Sequence, residues 1–366
     1  MKKVGILSMQ RIANYGSFLQ AYGLKNILEE LGCEVQFVDF HPGATLIPAN
    51  GGTGLRRIIS KVVEVIRYDA PVKEKVKYII YKKNFASNNF LYLGLGEENF
   101  SPKLDVLIIG SDEVFNCVQD NSRVGFSPEL FGANNNADKV ITYAASFGNT
   151  TIEKLEQYNV DAEIAKWLED IDAISVRDQN SGKIVRCLTG REPVYNLDPV
   201  LMYDFIGKCA EIPSSVPQNK YMILYGYSGR FSRDECRQIE AYAHSRGLKV
   251  FCIGGIQHVC DTFVDCSPFQ VIAYFQHADC VVTDTFHGSI LSVITHRQFV
   301  SVVRNTGYGN KEKMTDVLER LHLENRIIEN MNQIEDEIGK FINFKEVDEI
   351  IKNERERCYA YLRENI

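Results

Sequence analysis

One phrase recurs along this chain and constrains its fold more than any other feature. A short apolar run ends in a polar turn, and a stretch with helical spacing follows. The first copy runs from "KKVGILS" through "SFLQAYGLKNILEELG" to "EVQFVDF". In its middle, Phe18, Leu19, Tyr22, Leu24, Ile27, Leu28 and Leu31 recur at helical intervals, with Ser17 the predicted N-cap and Gly32 the stop. Strand, helix and strand in that order imply parallel strands joined by a right-handed crossover. The phrase returns in "LDVLIIGSDEVFN", "KVITYAASFG" and "DAISVRDQNSGKIVRCL", and "YNLDPVLM" closes the first half.

A second series starts after "EIPSSVPQNK", whose prolines and serines show no period and read as a linker. It comprises "YMILYGYSG", a helix opened by Ser232 and Glu235 at capping-box spacing, "LKVFCIGG", a helix opened by Pro268, and "CVVTDTFHGSILSVIT" leading to "QFVSVV". The chain of 366 residues exceeds one ordinary core and suits two. The expected class is α/β, with two Rossmann-like domains facing across a cleft. The expected boundaries are 1–208 with a helical insertion at about 55–85, a linker at 209–220, a second domain at 221–345 and a C-terminal helix at 346–366. Ligands of open parallel sheets sit at the carboxyl ends of the strands, where all of these polar turns fall.

The formal net charge of −7 argues against nucleic acid as a partner, and an anionic substrate would need a local basic pocket. The first residues are too short an apolar run for a signal peptide, and no stretch reaches the roughly 20 apolar residues of a membrane span. A cytoplasmic protein is expected. The ten cysteines form no C-x-x-C pair, and His258, Cys260 and Cys266 fit no common zinc spacing, so no metal site is expected.

Four turns carry chemistry. His287 follows a buried strand and opens a helix, where the amides of Gly288 and Ser289 could receive an anion. Arg177 follows another strand, where its planar guanidinium could clamp a carboxylate or pair structurally with Asp178. Asn14, Tyr15, Gly16 and Ser17 precede the first helix; this is no G-x-G-x-x-G, so dinucleotide binding has little support. Ser111, Asp112 and Asn116 could bond sugar hydroxyls, with Asp112 either a general base or a helix cap. Ser146 sits in the equivalent turn of "YAASFG".

Taken together, "ANYGSFLQAYGL", "IIGSDEVFN", "YAASFG", "SVRD", "LDPVLM" and "TDTFHGSILSV" resemble the polysaccharide pyruvyl transferase family, in order from about Val4 to Arg326. The resemblance implies a fold like the GT-B glycosyltransferases. It also implies transfer of a pyruvyl group from phosphoenolpyruvate onto two hydroxyls of a sugar, giving a cyclic ketal with no cofactor or metal. It places the family's histidine on His287 and its donor-binding arginine on Arg177. Where the family often carries an arginine two places before that histidine, this chain has Thr285. Glu113 and Phe115 stand where glutamine and tryptophan are expected. A donor pocket would then draw on Arg304, Lys311 or Arg230. In this scheme charged His287 protonates the donor and Asp112 takes a hydroxyl proton. The rival readings are a nucleotide-sugar glycosyltransferase, for which "IGGIQ" is a weak substitute for a nucleotide loop, and a binding protein that has kept the fold.

One stretch falls outside this scheme. Residues 56–83 hold nine Lys or Arg against Glu64, Asp69 and Glu74, interleaved with Ile, Val and Tyr. A basic amphipathic helix can lie on an anionic membrane surface; it can equally pack its apolar face on its own domain.

Overall fold

The strands are mostly apolar toward their carboxyl ends because both faces of each sheet are covered there. The computed structural model describes residues 1–47, 65–216, 220–304 and 311–366. Among these, every strand pairing is parallel. The first sheet comprises β1 (Lys3–Leu7), β2 (Glu34–Phe37), β3 (Lys103–Ile109) and β4 (Asn136–Thr142), in the order β2-β1-β3-β4. Bridges from Ile141 to Ala173 and from Ala145 to Val176 continue it toward β5 (Ser175–Val176) and β6 (Val194–Tyr195). The second sheet comprises β7 (Tyr221–Tyr225), β8 (Lys249–Ile253), β9 (Thr262–Phe263), β10 (Cys280–Thr283), β11 (Phe299–Val302) and β12 (Ile327–Ile328), in the order β12-β11-β10-β7-β8-β9.

Both orders are doubly wound. The chain reverses direction between β1 and β3 in the first sheet and between β7 and β10 in the second. At such a switch point the flanking loops diverge and leave a crevice at the strands' carboxyl ends. The first crevice holds Ser8 and the turn from Gly110 to Glu113. The second holds Gly226, Tyr227 and the turn from Asp284 to His287.

The longer helices are α1 (Tyr15–Glu30), α2 (Val72–Asn89), α3 (Asp161–Glu169), α4 (Gln179–Thr189), α5 (Arg233–Ser245), α6 (Pro268–His277), α7 (Phe286–Ile294), α8 (Lys311–Arg320) and α9 (Phe344–Asn365). Helix α1 is buried around its whole circumference over its first ten residues, with Ser17 and Gln20 the polar members among apolar neighbours. It joins the two halves: Phe18 and Tyr22 meet Phe269 of α6 edge-on, with centroids 5.6 and 5.0 Å apart. Its cap is Asn14, not Ser17; the Asn14 side chain accepts from the Gly16 amide at 2.7 Å. Ser17 lies one turn inside and donates to Asp112 instead. Helix α9 starts at Phe344 and returns to the first sheet. There Tyr361 donates to the carbonyls of Thr142 and Ala173, and Arg355 donates to that of Leu201. No helix among the described residues is long and apolar enough to cross a membrane.

Of the expected insertion, 55–64 lies outside the described residues, and so do 217–219 of the linker and 305–310 of the loop before α8. The "GSDEVFN" turn starts no helix. Asp112 therefore caps nothing; it adopts φ +78°, a left-handed conformation that non-glycine residues rarely hold without a local reason.

Candidate functional site

The two crevices meet at His287. Gly16, at the start of α1, has no side chain, and a Cβ there would overlap the His287 ring. That close approach seats the imidazole against the first sheet's helix. His287 Nε2 lies 3.7 Å from Asp198 Oδ2, too far for a hydrogen bond, and has no partner among the described residues although buried. A buried polar atom left open in this way calls for an explanation, and a ligand is one of the few available.

Asp198 is the hub. It is fully buried, at the end of β6, and its Oδ1 accepts from the Val200 amide at 2.9 Å. Its Oδ2 accepts from Arg177 at 2.7 Å and from the Ser111 hydroxyl at 3.4 Å. Arg177 is buried too, and its guanidinium stacks on the Phe286 ring at 4.4 Å. Its Nε keeps no partner among the described residues. Arg177 therefore braces Asp198, and only part of its fork remains for a ligand.

Asp112 sits across from this group, with Oδ2 accepting from Ser17 at 2.6 Å and Oδ1 from the Glu113 amide at 2.9 Å. Its neighbour Glu113 pairs with Lys313 of α8 and accepts from Asn116 at 2.8 Å. Burial pushes the Glu113 carboxyl up, but the Lys313 ammonium, Arg177 and the Asn116 amide outweigh it and hold the group at about 2. A carboxyl depressed in this way adds stability above its ordinary value of 4.5, lost as pH falls toward 2. Lys313→Met removes the main stabilising charge, so acid unfolding followed by circular dichroism moves to higher pH. An unchanged acid midpoint would show that the pair adds nothing.

For His287 burial is the largest influence and lowers its pKa. Asp198 and Asp112 raise it, and Arg177 and Lys313 lower it again. Burial by itself thus favours the neutral imidazole, and nearby negative charge opposes it.

Clefts lie around this centre. Arg177, Asp198 and Phe286 themselves line one, with Asp178, Asp316 and Arg320. Of three others nearby, the first is lined by Asn14, Tyr15, Tyr81, Lys82, Tyr227, Thr285 and His287. Asn14 spans it and donates to the Tyr227 hydroxyl at 2.6 Å. The second lies on the seam between the halves, with Lys154, Arg304, Lys311 and Lys313 on its walls beside Asp178 and Glu312. The third lies at the carboxyl ends of β1 and β2. It contains Arg11 paired with Asp39 at 2.6 and 2.8 Å, and His41 stacked on Phe100 at 4.1 Å.

Some expected residues are placed differently. The Gly288 amide donates to the Thr285 hydroxyl at 3.0 Å and the Ser289 amide to the Thr285 carbonyl at 3.2 Å, so neither is left for an anion. Thr285 is here the N-cap of α7. Arg304 pairs with Glu235, Lys311 with Glu329, and Arg230 with buried Asp284. Of the expected acceptor residues, Asn14 and Tyr15 line a cleft. Tyr15 nevertheless donates to the Cys266 carbonyl, and Ser111, Asn116 and Ser146 are buried and bonded, Ser146 to Asp178 at 2.5 Å. Sequence reasoning passed over Asp198, which "LDPVLM" does place at a strand end. It also passed over Lys313, which nothing distinguishes from a surface lysine, and over Arg11, Asp39, His41 and Phe100.

Two doubly wound parallel domains whose switch-point crevices meet at His287 define a GT-B-like fold. Residues 14–306 match the family described as polysaccharide pyruvyl transferase, and the chain belongs to that family. No curated protein matches it. It is similar in structure to a Thermobaculum terrenum O-GlcNAc transferase, with TM-score 0.43 and 10% identity over 98% of this chain; it spans 64% of that chain's length. It is likewise similar to Arabidopsis thaliana UGT89C1 complexed with UDP-L-rhamnose (TM-score 0.45, 8% identity, 98% of this chain and 94% of that one). A third is Methanocaldococcus jannaschii UDP-GlcNAc 2-epimerase in complex with UDP-GlcNAc and UDP (TM-score 0.44, 11% identity, 96% and 99%).

Proposed function

We propose that this transferase moves a pyruvyl group from phosphoenolpyruvate onto two hydroxyls of a sugar in a cell-surface polysaccharide, working in the cytoplasm. The observation that carries the reading is the buried His287–Asp198–Arg177 group facing Asp112 beside a cationic seam. Phosphoenolpyruvate is a small trianion; Lys154, Arg304, Lys311 and Lys313 line the seam, and the last three would exchange Glu235, Glu329 and Glu113 for the incoming anion. An anion beside His287 favours its protonated form, so donor binding itself prepares the acid. That acid delivers its proton to C3 of the enol, and C2 becomes electrophilic. A sugar hydroxyl adds to C2 and gives up its proton to Asp112. The C2–O bond to phosphate then breaks, a second hydroxyl adds to C2, and its proton leaves with phosphate. Arg177 positions Asp198, and Asp198 holds the field in which His287 is charged.

The cleft with Arg11, Asp39, His41 and Phe100 is the acceptor site in this scheme. A ring platform beside polar groups suits a pyranose, whose faces are apolar and whose rim is hydroxylated. The test is phosphate release from phosphoenolpyruvate with a panel of pyranosides, alongside melting scans with phosphoenolpyruvate or UDP. We expect release only with both substrates present, a higher melting temperature with phosphoenolpyruvate and not UDP, and a raised acceptor KM in Phe100→Ala with the donor KM unmoved. Stabilisation by UDP alone would replace this reading with nucleotide-sugar chemistry.

A further inference from the structure

We propose that the outward face of α2 docks on an anionic membrane surface. Helix α2 has two apolar faces, and only one is used by the fold. The inward face carries Tyr78, Tyr81 and Phe85, which pack on Tyr15 and Phe263, with Glu74 accepting from the Phe263 amide at 2.8 Å. The opposite face carries Val72, Val76, Ile79 and Ile80, spaced as one helical stripe and 75, 49, 41 and 46% exposed. Ile66 just before the helix and Leu91 just after it are also exposed. Packing among the described residues therefore does not account for the stripe.

Charge identifies the occupant. The chain as a whole carries −7, yet α2 has Lys73, Lys75, Lys77, Lys82 and Lys83 and a single acid, Glu74, which is turned inward. At 100° per residue Lys73 and Lys77 fall on one flank of the stripe, Lys75 and Lys82 on the other, and Lys83 along it. An aliphatic stripe flanked by lysines is the pattern of a helix lying in the plane of an anionic bilayer: the side chains enter the acyl boundary while the ammonium groups stay among the headgroups. Three lysines are already engaged, Lys77 with Glu74 at 2.9 Å, Lys75 with the Ile66 carbonyl at 3.0 Å and Lys82 with the Ala13 carbonyl at 3.2 Å, whereas Lys73 and Lys83 are exposed and make no ion pair among the described residues.

The helix also bears on the site. Tyr81 and Lys82 line the cleft that ends at His287, and Lys82 donates to the Ala13 carbonyl at 3.2 Å. Docking through α2 would bring the mouth of that cleft to the bilayer, where a lipid-linked glycan would present its sugar. That last point rests on the proposed function; the docking surface itself does not, and its test needs no substrate.

The full chain is sedimented with sucrose-loaded vesicles of phosphatidylcholine alone or with about a third phosphatidylglycerol, at about 0.1 M and about 1 M salt, where screening lengths are roughly 10 and 3 Å. We expect binding to the anionic vesicles, lost at high salt. Lys73→Glu with Lys83→Glu should weaken it by at least about fivefold per position, and Ile79→Ser with Ile80→Ser should weaken it as well. All four positions are exposed, so folding should be preserved, which melting scans check. Absence of binding to anionic vesicles, or binding indifferent to both pairs of substitutions, overturns the proposal. A dimer in sedimentation equilibrium that the isoleucine pair abolishes, without vesicle binding, assigns the face to a second copy instead.

Discussion

His287→Ala is expected to abolish pyruvyl transfer, by about 10²–10⁴-fold in kcat if the imidazole is the general acid. Folding should be nearly unaffected, because the ring contacts glycine at Gly16 and makes no hydrogen bond through Nε2. A second readout separates acid from scaffold. In the ligand-free protein burial favours the neutral ring, and an incoming anion favours the charged one. Titration with phosphoenolpyruvate near neutral pH should therefore take up a proton. Calorimetry in two buffers of different ionisation heat measures that uptake, and it should vanish in His287→Ala. Wild-type turnover in the variant would end the assignment. Lost turnover with proton uptake retained would move the acid to another group.

The largest effect on stability is expected from Asp198→Asn. The amide keeps the shape and can still accept from the Val200 amide, but it leaves the Arg177 guanidinium buried without its counter-charge. Removing one partner of a buried ion pair costs about 3–5 kcal/mol, because the remaining charge has no water to turn to. Urea unfolding monitored by circular dichroism should show a loss of that size. Asp198→Asn combined with Arg177→Met should recover part of it, since both charges are then gone. If Asp198→Asn unfolds at the wild-type midpoint, the pair does not hold the site together. Turnover should fall in the double variant even where stability returns, because His287 would face no carboxylate from β6.

Much of the fold was legible in the residues themselves. Apolar runs such as "VLII" and "CVVT" show no alternation, so both faces had to be covered, and helical stretches between them supplied the cover. That periodicity is local and survives reading one residue after another. It also placed His287, Arg177 and Asp112 at strand ends, since a polar turn after an apolar run marks the carboxyl edge of a parallel strand. What the turns contact is not a local property. Asn14 rather than Ser17 caps α1, and Thr285 occupies the amide of Gly288, because capping depends on backbone angles that composition only biases. Lys313 looks like any helix-surface lysine until the packing of α8 sets it against Glu113. Asp198 does cap a short helix through Oδ1, and only the packed structure sets its Oδ2 beside Arg177 and His287. The stripe on α2 shows the same limit from the other side. Its sequence has apolar residues on two faces, and only the docking of Tyr81 and Phe85 against the body of the protein decides that Ile79 and Ile80 face outward. Periodicity determines which residues share an element and a face; a charge's partner, and the face left to solvent, are set by elements far away in the chain, and only the packed structure brings those together.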